Sequence, residues 1–252
     1  MTDLMITRMP HWVKITLNRP AVKNALNTAL LAAVADVLRD CAGDTDCRAV
    51  LICGADGNFA AGADVAEIDD KSSAGAAVDP RKAHWAAIRS FPKPLVAAVD
   101  GYALGGGFEL ALMADFMVLG ADAKLGLPET SLGIIPGAGG GQRLLHLVGR
   151  ARASRLVMLD EVIDATTAYD WGIAGWMADG PALPLAEDLI GRLCNRAPLA
   201  MIAAKAALVA GAEAALAFGT ERAGFEQLMD SSDKAEGISA FRARLKPVFL
   251  GK

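Results

Sequence analysis

The chain has 252 residues, a net charge of -4, 53% hydrophobic and 21% charged residues. This length suffices to bury a sizeable core, and the dispersed Lys and Arg argue against nucleic acid as a partner. Charges interrupt every long apolar run, so no membrane-spanning helix is expected. Four cysteines occur without a CxxC pair, which argues against a zinc site or a redox motif. We expect no metal, no secretory signal and a cytoplasmic location.

The first part of the chain alternates short apolar strands with helices. Strands are predicted at residues 5–8, 12–17, 49–53, 94–99, 116–119 and 124–126, and a helix at residues 27–40. The runs at 49–53 and 94–99 are bounded by Gly, Pro or Asp, as in strands that are buried on both faces. A layered α/β fold is therefore predicted.

From about residue 139 onward the pattern is helical. Helices are predicted at residues 142–148, 151–159, 165–171, 185–196, 198–209, 213–230 and 234–244. Pro181 and Pro184 predict a loop at 179–184, where a helical tail could separate from the core. Residues 69–79 combine charges with Ser, Gly and Ala without periodicity, so they are the weakest candidate for regular structure.

A glycine run follows the strand at 94–99, and a helix is predicted to begin within it. Glycines at 105, 106 and 107 would let a ligand approach the free N–H groups of the helix's first turn, where the helix dipole favours negative charge. The run could hold an oxyanion or a phosphate, or form an ordinary tight turn. It fits neither GxGxxG nor GxxxxGK(S/T), which removes the dinucleotide and P-loop interpretations.

Two carboxylates are candidates for acid–base chemistry. Glu109 lies in the first turn of the predicted helix, where a carboxylate can also simply complement the dipole. Glu129 follows a short strand in the sequence Leu-Pro-Glu, and its alternative is a solvated surface position. Phe108, Leu127 and Pro128 would surround the carboxylates with apolar bulk, which can raise the pKa of a carboxyl group towards neutrality.

A second loop of small residues, at 59–65, follows the strand at 49–53 and leads into a helix. Loops at the carboxyl ends of parallel strands bind ligands in open α/β sheets, so these two loops could offer two N–H donors to one oxygen. A pair of tight turns is the alternative. His11, His84 and His146 lack partners at ligand spacing, and no serine lies in a GxSxG elbow, which disfavours a metal role and that type of hydrolase.

Several ordered motifs together resemble the enoyl-CoA hydratase/isomerase, or crotonase, family. They are Leu-Asn-Arg-Pro at 17–20 with Asn-Ala-Leu at 24–26, the loop at 59–64, the glycine run at 101–109, Leu-Pro-Glu at 127–129, the segment at 133–140 and Glu-Gly-Ile-Ser-Ala-Phe at 236–241. The resemblance covers essentially the whole chain. Several motifs in register are much more specific than any one of them.

The resemblance implies a fold and a class of substrate. The fold is a spiral of ββα repeats that carries the thioester site, residues 1–195, followed by helices at 196–252 that build trimers, usually paired into hexamers. The substrate is an acyl-CoA, and no cofactor is needed because coenzyme A is part of the substrate. The expected partner is a further copy of the chain in a homotrimer or homohexamer, without nucleic acid or membrane.

By family position, the resemblance also implies roles for single residues. The N–H groups of Ala63 and Gly106 would bind the thioester oxygen. Glu109 would hold and deprotonate the attacking water, while Glu129 would deliver a proton to the α carbon. The CoA moiety and substrate would lie along Val22, Lys23, Ala25, Ala61, Asp64, Val65 and Ala66. The acyl pocket would include Phe108, Leu127, Pro136 and Gly137.

Three places depart from the commonest family pattern. Phe108, Gly141 and the pair 159–160 stand where hydratases often have Cys, Thr and Thr-Gly. The departures remove no catalytic group, but they leave the acyl specificity open. We expect a hydratase that adds water across the 2,3 double bond of an enoyl-CoA to give a 3-hydroxyacyl-CoA, in the style of hydratases that act on 2,3-dehydroadipyl-CoA.

Two other functions are kept as alternatives. An isomerase of the same fold would move a double bond with one glutamate as proton shuttle, and the presence of both Glu109 and Glu129 argues against a dedicated isomerase. A non-catalytic assembly protein would use the fold alone, and turnover would distinguish it. Fatty-acid β-oxidation and aromatic-acid degradation both remain open as pathways.

Overall fold

The computed structural model describes residues 2–64, 66–69, 75–76, 78–213, 232–243 and 245–252. The strands are β1 (Leu4–Met9), β2 (Trp12–Leu17), β3 (Ala49–Gly54), β4 (Leu95–Val99), β5 (Tyr102–Leu104), β6 (Phe116–Leu119), β7 (Lys124–Gly126), β8 (Ile163–Asp164) and β9 (Trp176–Met177). The α-helices are α1 (Thr28–Gly43), α2 (Ala66–Asp69), α3 (Arg81–Arg89), α4 (Gly106–Ala111), α5 (Gly140–Met158), α6 (Ala165–Asp170), α7 (Ala182–Cys194), α8 (Pro198–Glu213) and α9 (Ser232–Ala243). Two 3-10 helices cover Pro20–Val22 and Pro128–Leu132.

The larger sheet has the strand order β1-β2-β3-β4-β6-β9. Strands β1 and β2 pair antiparallel, and the remaining neighbours pair parallel. Its central strands are covered on both faces: Val50 and Ile52 belong to a core shared with α1, whereas Ala49 and Leu51 pack with α7. This two-sided burial explains why β3 and β4 are apolar along most of their length. The predicted layered α/β arrangement is confirmed.

The smaller sheet, with the order β5-β7-β8, brings the candidate site together. The chain leaves β4 through Gly101, which has a φ of +51°, and enters β5 directly. Strand β5 then leads through Gly105 into α4. Strand β7, the parallel neighbour of β5, leads into the 3-10 helix Pro128–Leu132 that carries Glu129. Two parallel neighbours therefore deliver the two candidate carboxylates to the same edge.

Most predicted strands form where the pattern placed them, and three short strands were not predicted. The predictions at 12–17, 116–119 and 124–126 match β2, β6 and β7 residue for residue. Strands β5, β8 and β9 have only two or three residues each, too few for an alternating pattern to emerge. Helix α3 is a further element absent from the predictions.

Several helix boundaries required correction. The loop predicted at 179–184 ends early, because α7 begins at Ala182 and carries Pro184 in its first turn, where proline has no intrahelical N–H bond to lose. The two helices predicted at 142–148 and 151–159 are confirmed, because α5 is broken between them at Gly149, whose φ of +74° and ψ of 167° are not helical. Apart from its first residue, the predicted helix at 213–230 lies outside the described residues, as does much of segment 69–79.

The C-terminal helices make specific contacts with the core. Lys205 Nζ on α8 donates to Lys93 O at 2.9 Å and to Asp115 Oδ2 at 2.7 Å. Arg48 Nη2 donates to Phe249 O at 2.9 Å. These bonds cross the predicted division at 195/196, which stays a prediction. Within the described segments, no single helix has the length and apolarity to cross a bilayer, although the bent pair Ala182–Cys194 and Pro198–Ala210 has both when taken together.

Candidate active site

The glycine run places the start of α4 directly against the loop that follows β3. Ala60 forms a parallel bridge with Ala103 of β5, and Leu104 N donates to Ala60 O at 3.0 Å. A Cβ built on Gly107 would lie 2.1 Å from Ala60 O, so no larger residue fits there without backbone movement. Gly105 has φ +49° and ψ -128°, a conformation that is essentially restricted to glycine. The two loops therefore pack directly against each other, as both the ligand-binding interpretation and the alternative of a pair of tight turns require.

Two backbone N–H groups lie close together at this contact. Ala63 bridges Leu26 in parallel, and that pairing uses Gly62 O and Asp64 N, so the N–H of Ala63 points away from Leu26. The N–H of Gly106 belongs to the first turn of α4, where no intrahelical acceptor exists. A Cβ built on Gly106 would lie 3.5 Å from Ala63 N. Neither N–H finds an acceptor in the described part of the chain, so both can donate to one ligand oxygen.

Glu109 is held by the start of a different helix. The residue is 3% exposed, and Oε1 accepts hydrogen bonds from Ala138 N at 2.7 Å and from Gly140 N at 2.9 Å. Both donors lie at the N-terminus of α5, where free N–H groups favour a carboxylate. The carboxylate makes no capping bond to α4 itself. Two donors on one oxygen fix the orientation of Glu109 across the gap between α4 and α5.

Glu129 is buried and lacks a hydrogen-bond partner on one oxygen. The residue is 9% exposed, and no described residue hydrogen-bonds Oε2. Its Oε1 lies 3.0 Å from a Cβ built on Gly105, so this carboxyl group sits beside the glycine run. Burial, together with the negative charges of Glu109 and Asp160, raises the pKa of Glu129 to about 7. The alternative of a solvated surface position for Glu129 is wrong.

Together these groups form a constellation suited to proton transfer at a polarised carbonyl compound. The two N–H donors can stabilise negative charge that develops on an oxygen. One carboxylate is fixed by backbone donors, and the other changes its protonation state near neutral pH. Two carboxyl groups whose environments differ in this way are typical of an acid and base pair.

The candidate coenzyme A residues lie on the outer side of the same loops. Val22 and Lys23 are exposed, with the Lys23 Nζ 4.2 Å from the centre of the Tyr102 ring. Ala61 N donates to Lys23 O at 2.9 Å, which joins the two candidate segments. Ala25, Ala61 and Asp64 are half-buried and Ala66 is exposed, while Val65 lies outside the described residues.

The candidate acyl-pocket residues divide into two groups. Phe108 and Leu127 are fully buried within the main hydrophobic core, whereas Pro136 is half-buried and Gly137 is exposed. Leu127 Cδ1 lies 3.2 Å from a Cβ built on Gly140, which places Leu127 next to Glu109. The pocket-lining roles of these residues stay predictions.

The groups that hold the two glutamates in place were not among the predicted site residues. The N–H donors of Ala138 and Gly140 have no side-chain signature, although the glycine-rich start of α5 is a signal that a backbone approaches closely there. Thr130, which donates through Oγ1 to Asp160 Oδ1, was not predicted at all. Across the described residues, no group of three His, Cys, Asp or Glu side chains could hold a metal ion.

An ion pair that was not predicted holds the segment at residues 19–25 against the loop at 59–65. Arg19 Nη1 donates to Asp64 Oδ2 at 3.0 Å and to Ala25 O at 2.6 Å. Asn24 is completely buried, and its Nδ2 donates to Ala55 O and Asn58 O. These bonds hold the segment around Lys23 against the loop that presents the N–H of Ala63.

Comparisons with known proteins agree with this geometry. Residues 11–252 match the family model described as enoyl-CoA hydratase/isomerase. The chain is 43% identical over 255 residues to the 2,3-dehydroadipyl-CoA hydratase of Escherichia coli (strain K12), with 100% of both chains covered. It is 38% identical over 252 residues to the enoyl-CoA isomerase/hydratase fer4 of Mycosarcoma maydis, covering 94% of this chain and 92% of that protein.

Solved structures show the same architecture. The crystal structure of an enoyl-CoA hydratase from Bacillus anthracis superimposes with a TM-score of 0.89 at 33% identity, covering 100% of both chains. That of an enoyl-CoA hydratase from Mycobacterium tuberculosis H37Rv superimposes with a TM-score of 0.91 at 31% identity, covering 99% of both chains. The fold, the motifs and these matches agree over essentially the whole length. The chain belongs to the enoyl-CoA hydratase/isomerase family.

Proposed function

We infer that this chain is an enoyl-CoA hydratase, an enzyme that adds water across the 2,3 double bond of an enoyl-CoA to give a 3-hydroxyacyl-CoA. The observation that carries this inference is the buried Glu129, without a partner on Oε2 among the described residues and titrating near neutrality, beside Glu109 and two free N–H groups. Hydration needs a base for water and an acid for carbon, and this site supplies both. The hydratase names of the relatives support the same reaction.

The proposed reaction uses each of these groups once. The thioester oxygen accepts hydrogen bonds from Ala63 N–H and Gly106 N–H, which draws electron density from the β carbon. Glu109 takes a proton from water as the hydroxyl oxygen bonds to the β carbon, and the electron pair of the double bond forms the enolate. Glu129 then gives its proton to the α carbon, which restores the thioester carbonyl. Proton exchange with solvent returns Glu109 to its ionised form and Glu129 to its protonated form before the next turnover.

A double-bond isomerase is not favoured. Isomerisation moves one proton between two carbons, so one carboxyl group suffices. In this chain a second carboxylate, Glu109, is held by two backbone donors where it can bind a water molecule. A non-catalytic assembly role leaves unexplained why an acid of raised pKa is kept buried at Glu129.

Coenzyme A is proposed to lie along two adjoining segments, Val22–Ala25 and residues 61–66. The exposed Lys23 ammonium is close enough to the loops to meet a phosphate group, and its present neighbour is the Tyr102 ring. Phe108, Leu127, Pro136 and Gly137 are proposed to bound the acyl group. Since a relative named for 2,3-dehydroadipyl-CoA covers the whole chain, that dicarboxylic thioester is the first acyl substrate to test.

The assembly is proposed to be a homotrimer or homohexamer in the cytoplasm, with no cofactor. Large apolar side chains exposed near the end of α5 and on α8 support burial against further copies: Met158 and Leu159 are 71% and 75% exposed, and Leu208 is 75% exposed. Light scattering on a gel-filtration column measures the assembly directly. A purely monomeric protein would contradict this proposal without bearing on the reaction.

The test of the function is a turnover assay on the wild type and on Glu129→Gln. Loss of the conjugated enoyl-thioester absorbance is followed with short, long and dicarboxylic 2-enoyl-CoAs. We expect rapid loss with the wild type and a rate at least about a hundredfold lower in the variant, because the amide has no acidic proton to deliver. Glu187→Gln, which changes an exposed carboxylate paired with Lys14, is the matched control. No turnover of any enoyl-CoA by the wild type would refute the assignment.

Gly106→Pro tests the oxyanion donors separately. Proline is tolerated in the first turn of a helix, but it removes the N–H proposed to bind the thioester oxygen. Loss of one such donor costs about 3 kcal/mol, so kcat should fall by a hundredfold or more. Circular dichroism and isothermal titration with coenzyme A verify folding and binding. A folded variant with full activity would mean that Gly106 N–H is not a donor to the substrate.

A further inference from the structure

A side-chain contact joins the 3-10 helix that carries Glu129 to the end of α5. The hydroxyl of Thr130 donates to Asp160 Oδ1 and lies 3.3 Å from Val157 O. Thr130 is the immediate neighbour of Glu129, so a constraint on Thr130 limits the movement of the Glu129 backbone. The same 3-10 helix ends at Leu132 with Gly133 as its C-cap, and Ile134 N donates back to Glu129 O at 3.2 Å. The Glu129 turn is thus held by a side-chain contact at Thr130 and by a backbone bond at its end.

Asp160 occupies a backbone conformation that aspartate adopts rarely. Its φ is +53°, in the left-handed region, directly after α5 and Leu159. The following residue, Glu161, is fixed to α5 by two bonds from the Arg155 guanidinium, at 2.7 and 2.6 Å. A non-glycine residue at positive φ often marks a functional constraint. Here that conformation directs the Asp160 carboxylate to Thr130.

The charges that act on Glu129 across space are both negative. They belong to Glu109 on α4 and to Asp160 after α5. Basic side chains on α5 have other partners: Arg143 donates to Ala138 O, and the guanidinium groups of Arg152 and Arg155 lie over the Trp171 ring. The other titratable groups of α5, His146 and Arg150, are exposed. No cation therefore offsets the two carboxylates at Glu129 in the described part of the chain.

We propose that Asp160 is a positioning residue for Glu129, holding its turn through the Thr130 hydroxyl and adding a negative charge to its surroundings. The proposal rests on the proposed role of Glu129 as the acid. A nearby negative charge disfavours the ionised form of a carboxyl group, so Asp160 raises the pKa of Glu129. Asp160 thereby keeps Glu129 protonated, and able to donate, at a higher pH than burial and Glu109 alone would.

The two contributions of Asp160 can be separated by substitution. Asp160→Asn removes the charge but keeps an oxygen that accepts from Thr130, and asparagine tolerates a positive φ well. Thr130→Val removes the hydroxyl and leaves the Asp160 charge, whereas Thr130→Ser retains a hydroxyl at the same place. Asp170→Asn is the control, because it removes an exposed negative charge that does not act on Glu129.

A titration of Glu129 tests the charge without any need for turnover. The protonated carboxyl band is followed by infrared difference spectroscopy against pH, with Glu129→Gln in the same background as the reference. We expect the midpoint of Asp160→Asn to move to lower pH than the wild type, while Asp170→Asn leaves it unchanged. A coincident titration of Asp160→Asn and the wild type would overturn the proposed charge effect.

Kinetics test whether the hydrogen bond between Thr130 and Asp160 holds Glu129 in place. With an enoyl-CoA that the wild type turns over, Thr130→Val should lower kcat by about tenfold with little change in KM, because a misplaced acid costs rate more than binding. Thr130→Ser should recover most of that loss. Asp160→Asn should lose more activity at pH 8 than at pH 6. Full kcat in Thr130→Val would overturn the proposed role of this hydrogen bond. An inactive wild type would refute only the hydratase assignment, because the infrared titration of Glu129 needs no turnover.

Discussion

At the scale of single residues, Glu129 shows a conflict between stability and reactivity. The carboxyl group is 9% exposed and has an oxygen with no partner in the described segments, so ionising it in the folded protein is costly. Its pKa is raised by burial from the ordinary value of 4.5 to about 7. Between these values the folded protein binds more protons than the unfolded chain, so its stability falls as pH rises through this window.

The corresponding prediction concerns the stability of Glu129→Gln. The amide cannot ionise, so the variant avoids the cost that the wild type bears above pH 7. A shift from 4.5 to about 7 corresponds to about 3 kcal/mol. Urea unfolding should show the variant more stable by roughly that amount at pH 8, with the difference shrinking towards pH 4. A constant difference across the range would mean that Glu129 does not titrate as described.

The residues that bear the chemistry could be identified from the sequence better than the groups that support them. Glu109 and Glu129 lie in recognisable motifs, and the glycine run indicates that another backbone segment approaches closely there. The donors to Glu109 are main-chain N–H groups at Ala138 and Gly140, which leave no trace in side-chain identity. The contact between Thr130 and Asp160 spans 30 positions, and only the packed fold brings its partners together.

At the scale of the helix, two glycines with opposite surroundings make a matched pair. Gly107, within α4, has no room for a methyl group because Ala60 O would lie 2.1 Å from its Cβ. Gly191, within α7, has no atom within 4 Å of the same position. Glycine in a helix interior is destabilising relative to alanine by about 0.5–1 kcal/mol. The space around each glycine therefore decides whether its replacement by alanine raises or lowers the free energy of unfolding.

We expect Gly191→Ala to raise the free energy of unfolding by about 0.5–1 kcal/mol. Gly107→Ala should lower it by about 1–3 kcal/mol, because backbone must shift to admit the methyl group. The same shift would separate α4 from the loop that presents Ala63 N–H, so activity should fall as well. Denaturant unfolding with a turnover assay measures both quantities. Equal stability of the two variants would contradict the close approach at Gly107.

The strength of each element's pattern explains how well it could be predicted. Strands β3 and β4 are continuous apolar runs that cannot face water, and their central residues were placed correctly. Strands β8 and β9 have two residues each, and they form because they pair with the neighbouring strands β7 and β6. Helix α7 includes Pro184 because proline fits the first turn of a helix, and Ala182, Ala186 and Leu189 are buried against the main sheet.

At the scale of the whole molecule, one buried cation joins segments that are distant in sequence. Lys93 is 7% exposed, and its Nζ donates to the carbonyl oxygens of Cys41, Asp44 and Cys47 at 2.6, 2.7 and 2.8 Å. These carbonyls belong to the end of α1 and the connection to β3. The carbonyl of Lys93 itself accepts from Lys205 on α8. A single residue thus connects the helical layer, the sheet and the C-terminal helices.

Replacing this cation should destabilise the entire fold rather than one element. Lys93→Met keeps the length and the apolar stem but removes the donor from the buried carbonyls of Cys41 and Cys47 and from the part-buried carbonyl of Asp44. The loss should cost about 3 kcal/mol or more. Lys14→Met is the control, because the pair of Lys14 with Glu187 is partly exposed and such pairs contribute at most about 1 kcal/mol. Urea unfolding followed by circular dichroism and by tryptophan fluorescence should shift coincidently in Lys93→Met. Lys93 hydrogen-bonds to no candidate site residue, so the folded variant should keep its kcat. A large loss of kcat in folded protein would instead connect the hydrogen bonds of Lys93 to catalysis.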